Sequence, residues 1–259
     1  MKSIIAQAIH AKYSPVAVLL TNEKPESAIQ FLEGKRGCVI AMLNAAAKGK
    51  TAIFDRKTFG CLGGGVGLGF GNTYKNFPGG IDHFLSTGNE DFCKTEFGKT
   101  IAQQMSHLEH GEGYIKTPEL AQKFIESLPM VDVPTSYVVF KPLEKLSNAE
   151  TPSTVVFLVN SDQLSALVVL ANYARETGDN VIVPFGAGCH QIGIIPYKET
   201  ESSHPKAVIG LTDITARIIV DKDILSFAIP YKMFLEMESN VEGSFLEKRE
   251  WLKILERNP

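Results

Sequence analysis

The chain is most distinctive at Gly60-Cys61-Leu62-Gly63-Gly64-Gly65-Val66-Gly67-Leu68-Gly69-Phe70-Gly71. Six of the last nine residues of this stretch are glycine. Glycine reaches backbone conformations that strain other residues, and it lets the main chain approach a ligand or another segment closely. We therefore expect the fold to be arranged around this glycine-rich loop, with Gly63, Gly64 and Gly65 as candidate ligand-binding residues.

The loop matches neither of the two common glycine-rich nucleotide motifs. A P-loop needs Lys followed by Ser or Thr after its glycines, and this pair is missing here. A dinucleotide-binding fingerprint needs a third glycine where this chain has Leu68, Phe70 or Asn72. Two interpretations lead: a loop that approaches a ligand closely, or a packed strand or turn with Val66, Leu68 and Phe70 directed inward.

Composition indicates a globular protein, because 44% of the 259 residues are hydrophobic and 21% are charged. A net charge of -3 disfavours nucleic acid and anionic membrane surfaces as partners, since both need a clustered basic surface. The first residues lack the pattern of a signal peptide, and no run of about 18 apolar residues occurs. We predict a cytoplasmic protein with a small-molecule ligand and no membrane or nucleic-acid partner, and a homo-oligomer remains open.

Short apolar runs alternate with helical periodicity along the chain. This pattern predicts an α+β or α/β fold: a single compact domain over residues 1–259, with a mixed sheet and flanking helices. No internal repeat is evident, and prolines mark a loose subdivision near residues 129–134. The helix over 162–176 is apolar nearly all round, which predicts central burial. Further helices are predicted over 2–12, 38–49 and 90–108 and from 117, with two more at the end; strands are predicted over 16–20, 51–54, 137–140, 154–159, 181–183, 207–210 and 224–229.

Three of the four cysteines directly follow a glycine: Cys38, Cys61 and Cys189. Cys93 instead lies inside a predicted helix, where packing cysteines are usual. Cysteines of a cytoplasmic protein are expected to be reduced, and no C-x-x-C pair is present. Three thiolates brought together by the fold could hold an iron–sulfur cluster or another metal with one open position. The alternatives are inert buried thiols and a nucleophilic or redox cysteine.

Two arginines and a histidine near the cysteines are candidates for binding an anionic ligand. Arg36 stands two residues before Cys38, and an arginine offers a planar fork to a carboxylate or phosphate. Arg217 stands four residues after Asp213, so a local ion pair is the alternative for it. His190 follows Cys189 directly and is a candidate ligand or acid, with a surface or packing histidine as the alternative.

Several blocks of the chain stand out in a fixed order: Arg36-Gly37-Cys38, Cys61-Leu62-Gly63-Gly64, Leu68-Gly69-Phe70, Lys141-Pro142-Leu143, Val156 to Gln163, Cys189 before a strand-like Gly193 to Pro196, Asp213 with Arg217, and Ser226 to Pro230. Together they resemble the domain-of-unknown-function family 169 (DUF169), also called an archaeal conserved region. The resemblance covers most of the chain and implies a prokaryotic protein. It makes Cys38, Cys61 and Cys189 the positions that match the family's cysteines, and it implies no particular activity.

The sequence thus favours a cytoplasmic protein in which Cys38, Cys61 and Cys189 hold an iron–sulfur cluster or other metal beside an anionic small-molecule site. The alternative is a non-catalytic small-ligand-binding module, whose glycine-rich loop contacts the ligand and whose cysteines only pack. No catalytic residue is identified, so whether the protein is an enzyme stays open. A thiol-dependent enzyme is a weaker third hypothesis, because no orienting base is identifiable.

Overall fold

The computed structural model describes residues 1–257, apart from the side chain of residue 106. Within this part of the chain, one mixed sheet of eight strands forms the centre of the molecule. The strands are β1 (Val16–Thr21), β2 (Ile29–Gln30), β3 (Ala52–Phe54), β4 (Tyr137–Pro142), β5 (Thr154–Val159), β6 (Val181–Ile182), β7 (Ala207–Gly210) and β8 (Leu225–Pro230).

Helices fill most of the connections between the strands. This mixed sheet with its helices confirms the predicted fold class. The helices are α1 (Ile4–Ala8), α2 (Val39–Ala47), α3 (Leu62–Gly67), α4 (Ile81–Leu85), α5 (Glu90–Lys94), α6 (Glu96–Ala102), α7 (Pro118–Ser127), α8 (Ser161–Asn172), α9 (Gly188–Ile192), α10 (Ile194–Glu199), α11 (Ile214–Arg217), α12 (Tyr231–Ser239) and α13 (Arg249–Glu256).

The two halves of the sheet have the same topology. The strand order is β2-β3-β4-β1-β5-β8-β7-β6. Strands β1–β4 form one half and β5–β8 the other, and from the centre to the edge each half has its first, fourth, third and second strand in that order. In each half the fourth strand pairs antiparallel with the first and the third, and the second strand pairs parallel with the third. The first strands of the halves, β1 and β5, pair antiparallel with each other.

The registers of the two halves coincide as well. Pro142 at the end of β4 pairs with Val16 at the start of β1, and Pro230 at the end of β8 pairs with Thr154 at the start of β5. Where the halves meet, Ala17 pairs with Val155 at the middle of a symmetric ladder. The halves are therefore related by an approximate twofold axis through this pair. The repeat is one of topology and register, and none is evident in the sequence.

One face of the sheet carries a large hydrophobic core. Val155, Phe157 and Val159 of β5 belong to it, together with residues of α1, α8, α12 and α13. Because side chains alternate along a strand, the residues between them point to the opposite face. On that face Gln191 of α9 lies against Gly210 of β7, where an added Cβ would come within 2.6 Å of the Gln191 Cβ. The helix that carries Cys189 thus lies on the face opposite this core.

The chain divides into two compact units, one formed by residues 1–70 with those from 132 onward, and one by Gly71–Val131. The first unit contains the whole sheet. The second unit is helical, contains α4 to α7, and interrupts the first half between α3 and β4. The junctions lie between residues 70 and 71 and between residues 131 and 132. The predicted single domain and its loose subdivision near 129–134 stay predictions. The buried hydrophobic residues of the second unit are Tyr74, Ile81, Leu108, Ala121, Ile125 and Leu128.

Two predicted helices differ from the observed ones for local reasons. The helix over 90–108 is broken at Thr95, whose extended backbone and side-chain oxygen, which accepts from the Gly98 N–H, start a new helix. The helix over 162–176 is shorter, and Val169 is 49% exposed, so the prediction of central burial is wrong. Its cap is Asn160, which forms a reciprocal capping box with Gln163.

Candidate cysteine site

Two glycine–cysteine pairs from the first half lie side by side. The Gly37 N–H donates to the Gly60 carbonyl at 3.1 Å. Both glycines lie against the ring of Phe31, so a Cβ on either one would come within 2.7 Å of a ring atom. Cys38 then stands at the N-cap position of α2 without a side-chain hydrogen bond to that helix, and Cys61 caps α3 through its sulfur. The two cysteines therefore lie close together, at the starts of neighbouring helices.

The glycine-rich stretch is a short α-helix rather than a loop, because α3 covers Leu62–Gly67. The Cys61 Sγ accepts a hydrogen bond from the Gly64 N–H at 3.3 Å. A Cβ at Gly64 would come within 2.5 Å of the Phe59 carbonyl oxygen and 2.8 Å of a Val39 methyl group. Glycine is a poor helix former, so close packing on α2 explains its presence here better than flexibility does.

Two of the three glycines predicted to bind a ligand are buried. Gly64 and Gly65 are buried and Gly63 is half-buried. The Gly65 N–H is also occupied inside the helix, where it donates to the Cys61 carbonyl at 2.9 Å. A ligand-binding role for these glycines stays a prediction.

Helix α9 packs directly on α3 through two glycines. A Cβ at Gly67 would come within 2.6 Å of the Cys189 carbonyl carbon and 2.7 Å of its Cβ. A Cβ at Gly193 would come within 1.9 Å of the Gly67 carbonyl oxygen. The two backbones are therefore closer than any other residue type would allow. This contact brings Cys189 of the second half to the two cysteines of the first.

The sulfurs of Cys61 and Cys189 bind opposite sides of one peptide group. The Cys189 thiol donates to the Gly63 carbonyl at 3.0 Å, and the Gly64 N–H of the same peptide donates to Cys61. These two contacts and the dimensions of a peptide group place the sulfurs within about 9 Å of each other. The C=O and N–H of a trans peptide point in opposite directions, so the sulfurs lie on either side of it.

Burial dominates the acidity of two of the three thiols. Burial raises the pKa of Cys189 well above its ordinary value, and the neighbouring Cys61, Cys38 and Asp213 add to the rise. Burial also raises the pKa of Cys61, although the Gly64 N–H and the charge of Arg36 oppose the change. Cys61 is nevertheless exposed.

The donors do not form a single-ion site as they stand. In residues 1–257, no three His, Cys, Asp or Glu side chains are arranged to hold one metal ion. The sulfurs of a tetrahedral zinc site lie about 4 Å apart, whereas the Gly63–Gly64 peptide separates Cys61 from Cys189. Binding one ion would require at least one of these side chains to leave its hydrogen bond.

The remaining candidates lie in different environments. Arg36 is exposed, and in the described part of the chain it makes no hydrogen bond or ion pair. His190 is buried, and burial lowers its pKa to about 4, so its imidazole is neutral near pH 7. Arg217 donates to the carbonyls of Ile224 and Lys222 rather than pairing with Asp213. Of these residues, Arg36 has the guanidinium that is available to a ligand.

Two features beside Cys189 were not predicted from the sequence. Gln191 is fully buried and donates to the Pro184 carbonyl at 2.8 Å and to the Thr212 hydroxyl at 2.7 Å. Leu211 is buried with a φ of 60°, a left-handed conformation that is rare outside glycine. Neither feature can be predicted from the neighbouring residues in the sequence, because both depend on contacts between α9 and the segment after β7.

The chain matches the DUF169 family, described as an uncharacterised ArCR, over residues 4–240. Because the match covers most of the chain, the protein belongs to this family, as the resemblance predicted. Neither the curated proteins nor the solved structures compared with the chain include a match. Over the described residues, no helix has the length and apolar character needed to span a bilayer.

Proposed function

We propose that this DUF169 member is a cytoplasmic protein that binds an iron–sulfur cluster, or another thiophilic metal, through Cys38, Cys61 and Cys189. An anionic small molecule would bind beside it. One observation carries the proposal: three cysteines that are distant in sequence lie at the starts of three helices that pack together.

The raised thiol pKa values are consistent with metal binding. A buried thiolate without a partner is unfavourable, so Cys189 without metal is a protonated donor to Gly63. A bound cation deprotonates a coordinating thiol and offsets that cost. The N–H groups at the helix starts add partial positive charge, which stabilises thiolates.

The separation of the sulfurs favours a cluster over a single ion. A cluster distributes its cysteine ligands over several irons, so its ligands lie farther apart than those of one ion. Cys61 and Cys189 lie on opposite sides of the Gly63–Gly64 peptide, so the Cys189 thiol would still have to turn away from the Gly63 carbonyl. When bound by three cysteines, a cluster would supply one iron able to act as a Lewis acid.

The anionic ligand is proposed from Arg36. Its guanidinium is exposed, and its charge is close enough to Cys61 to oppose the rise in the pKa of that thiol. A guanidinium binds a carboxylate or phosphate through two parallel hydrogen bonds. The same exposed side of the site would therefore present both Cys61 and a cation to a small anion.

Anaerobic purification tests the metal proposal. We expect a coloured protein with iron and acid-labile sulfide, and we expect Cys38→Ser, Cys61→Ser and Cys189→Ser each to lose most of both. Cys93→Ser is the matched control, since Cys93 lies in the second unit and should leave the metal content unchanged. Protein that stays colourless and metal-free after anaerobic preparation and reconstitution with iron and sulfide would overturn the proposal.

The alternative, a small-ligand-binding module whose cysteines only pack, is favoured by one observation. Both Cys61 and Cys189 already have hydrogen-bond partners in the protein. In that case the three serine variants would change stability but not ligand binding. A panel of small carboxylates and inorganic phosphate, titrated against wild type and Arg36→Met, would then show binding that depends on Arg36 but on none of the cysteines.

A further inference from the structure

The approximate twofold relation between the halves gives Cys61 a counterpart. In the first half, β3 leads to Cys61, which caps α3 by accepting from the Gly64 N–H at 3.3 Å. In the second half, β7 leads to Asp213, which caps α11 by accepting from the Thr215 N–H at 3.0 Å. Asp213 thus occupies the topological position of Cys61.

The same relation pairs the other two cysteines of the site. In each half, a helix between the second and third strands begins at a Gly-Cys pair. These pairs are Gly37-Cys38 at α2 and Gly188-Cys189 at α9. Three of the four related positions are therefore cysteines, and Asp213 is the fourth.

The Asp213 carboxylate joins the starts of two helices. One oxygen accepts from Thr215 in α11, and the other accepts from the Gly188 N–H at 3.2 Å. The residue before α9, Ala187, provides no side-chain cap for that helix. An uncapped helix start leaves backbone N–H groups without partners. Asp213 satisfies one of them from a distant part of the chain, at the residue before Cys189.

The segment that carries Asp213 is itself held rigidly. Leu211 adopts its left-handed conformation while fully buried, and such a conformation persists only where the surrounding structure enforces it. The next residue, Thr212, donates its N–H to Gln191 Oε1 at 3.3 Å and accepts from Gln191 Nε2 at 2.7 Å. Gln191 belongs to α9, so this segment is fixed to the helix on both sides of Cys189.

We propose that Asp213 is the fourth residue of the cysteine site and the positioning residue for Cys189. Its carboxylate holds the first turn of α9 against α3, at the place where the Cys189 sulfur meets the Gly63 carbonyl. The inference deepens the proposed function, because it concerns the same site. The positioning role of Asp213 applies to the metal-free protein as well, so this inference and the metal proposal can fail separately.

The test is the native-state labelling of Cys189 by iodoacetamide in metal-free protein, measured by mass spectrometry of the cysteine peptides. Asp213→Asn keeps a side-chain oxygen for Thr215 but presents an NH2 group to the Gly188 N–H. We expect Cys189 to react about tenfold faster, the effect of losing one charge-assisted hydrogen bond. The labelling rate of Cys189 in this variant should be the same with and without a low concentration of urea, because a local opening exposes little new surface.

Two further variants keep the test decisive. Asp213→Ser can still cap α11 but is too short to reach Gly188, so it should reproduce the selective effect on Cys189. Asp223→Asn, at an exposed residue of the following segment, should leave the labelling unchanged. Unchanged labelling in both Asp213 variants would overturn the proposal. So would labelling of Cys189 that rises steeply with urea together with that of Cys38, since that pattern indicates a general loss of stability.

Comparison with the iron analysis separates the two claims. Selective labelling of Cys189 in a protein that never holds iron would support the positioning role and contradict the metal proposal. The opposite result is that Asp213→Asn and Asp213→Ser bind iron as tightly as wild type does and show unchanged labelling of Cys189. That result would support the metal proposal and contradict the positioning role of Asp213.

Discussion

The two halves of the sheet share strand order, pairing and register, but they differ in what they carry. The first half contributes Cys38 and Cys61 and contains the inserted helical unit Gly71–Val131. The second half contributes Cys189 and Asp213, and only a short segment links its α11 to β8. A symmetric frame therefore supports an asymmetric site, and the differences between equivalent positions are the places to look for specialisation.

The contact between the halves at the site depends on glycine, and Gly67→Ala should break it. Helix propensity alone would favour alanine by about 1 kcal/mol. The new Cβ would meet backbone atoms of Cys189 at 2.6 and 2.7 Å, and overpacking of this kind costs about 3 kcal/mol. We expect a net loss of about 2 kcal/mol in the free energy of unfolding, measured by urea denaturation. An unchanged or higher stability would mean that α3 and α9 are not in contact.

A second difference between the halves lies at the ends of β4 and β8. Lys141 and Ile229 each precede the final proline of their strand, but Ile229 is in the core whereas Lys141 pairs with Glu150 at 2.7 Å. Partial burial opposes ionisation of Glu150, but Lys141 and Ser147 outweigh it and lower the pKa of Glu150. Glu150→Gln should therefore cost about 1 kcal/mol at pH 7.

The pH dependence of that loss follows from the direction of the shift. A carboxyl whose folded-state pKa is lowered stabilises the protein above its unfolded pKa of about 4.3, and this contribution disappears as the pH falls through the folded value. Wild type and Glu150→Gln should thus converge in acid. Glu33→Gln, at an exposed ion pair with Lys57, is the control and should change little. A difference that persists at pH 2 would contradict the assignment.

The smallest effect is expected where a glycine has no contact with the other half. Gly178 lies in the turn before β6, and an added Cβ would have no atom within 4 Å and no positive φ to oppose it. Gly178→Ala should raise the free energy of unfolding by about 0.5 kcal/mol, because it restricts the unfolded chain. Thermal unfolding of Gly178→Ala and Gly67→Ala compares the same substitution at an open and at a packed glycine. A similar loss of stability in both variants would show that the contact between α3 and α9 is not what makes Gly67 sensitive.

Strands with a clear local signal were predicted well. Residues 154–159 form β5 with the predicted bounds, because a continuous apolar run between turns has few other solutions. Elements defined by distant contacts were not. Four glycines make α3 a poor helix by propensity, and its packing on α2 and α9 overrides that preference. The strand-like Gly193 to Pro196 is instead the start of α10.

The site was predictable in its residue types but not in its arrangement. A glycine before each of Cys38, Cys61 and Cys189 distinguished them from Cys93, and those glycines do lie at close contacts. The part played by Asp213 was hidden, because its partner Gly188 is 25 residues away and Arg217 suggested a local ion pair. The twofold relation was hidden as well, since strand pairing rather than sequence defines it.

We infer that the three cysteines of the two halves form one site. A crystal structure of anaerobically prepared protein, with sulfur and any iron located by anomalous scattering, tests it most directly. We predict the Cys61 and Cys189 sulfurs within about 9 Å of each other beside the Gly63–Gly64 peptide, with Cys38 next to them and any iron between the three. Cys189 directed away from α3, or iron bound at a place that involves none of the three, would contradict the account.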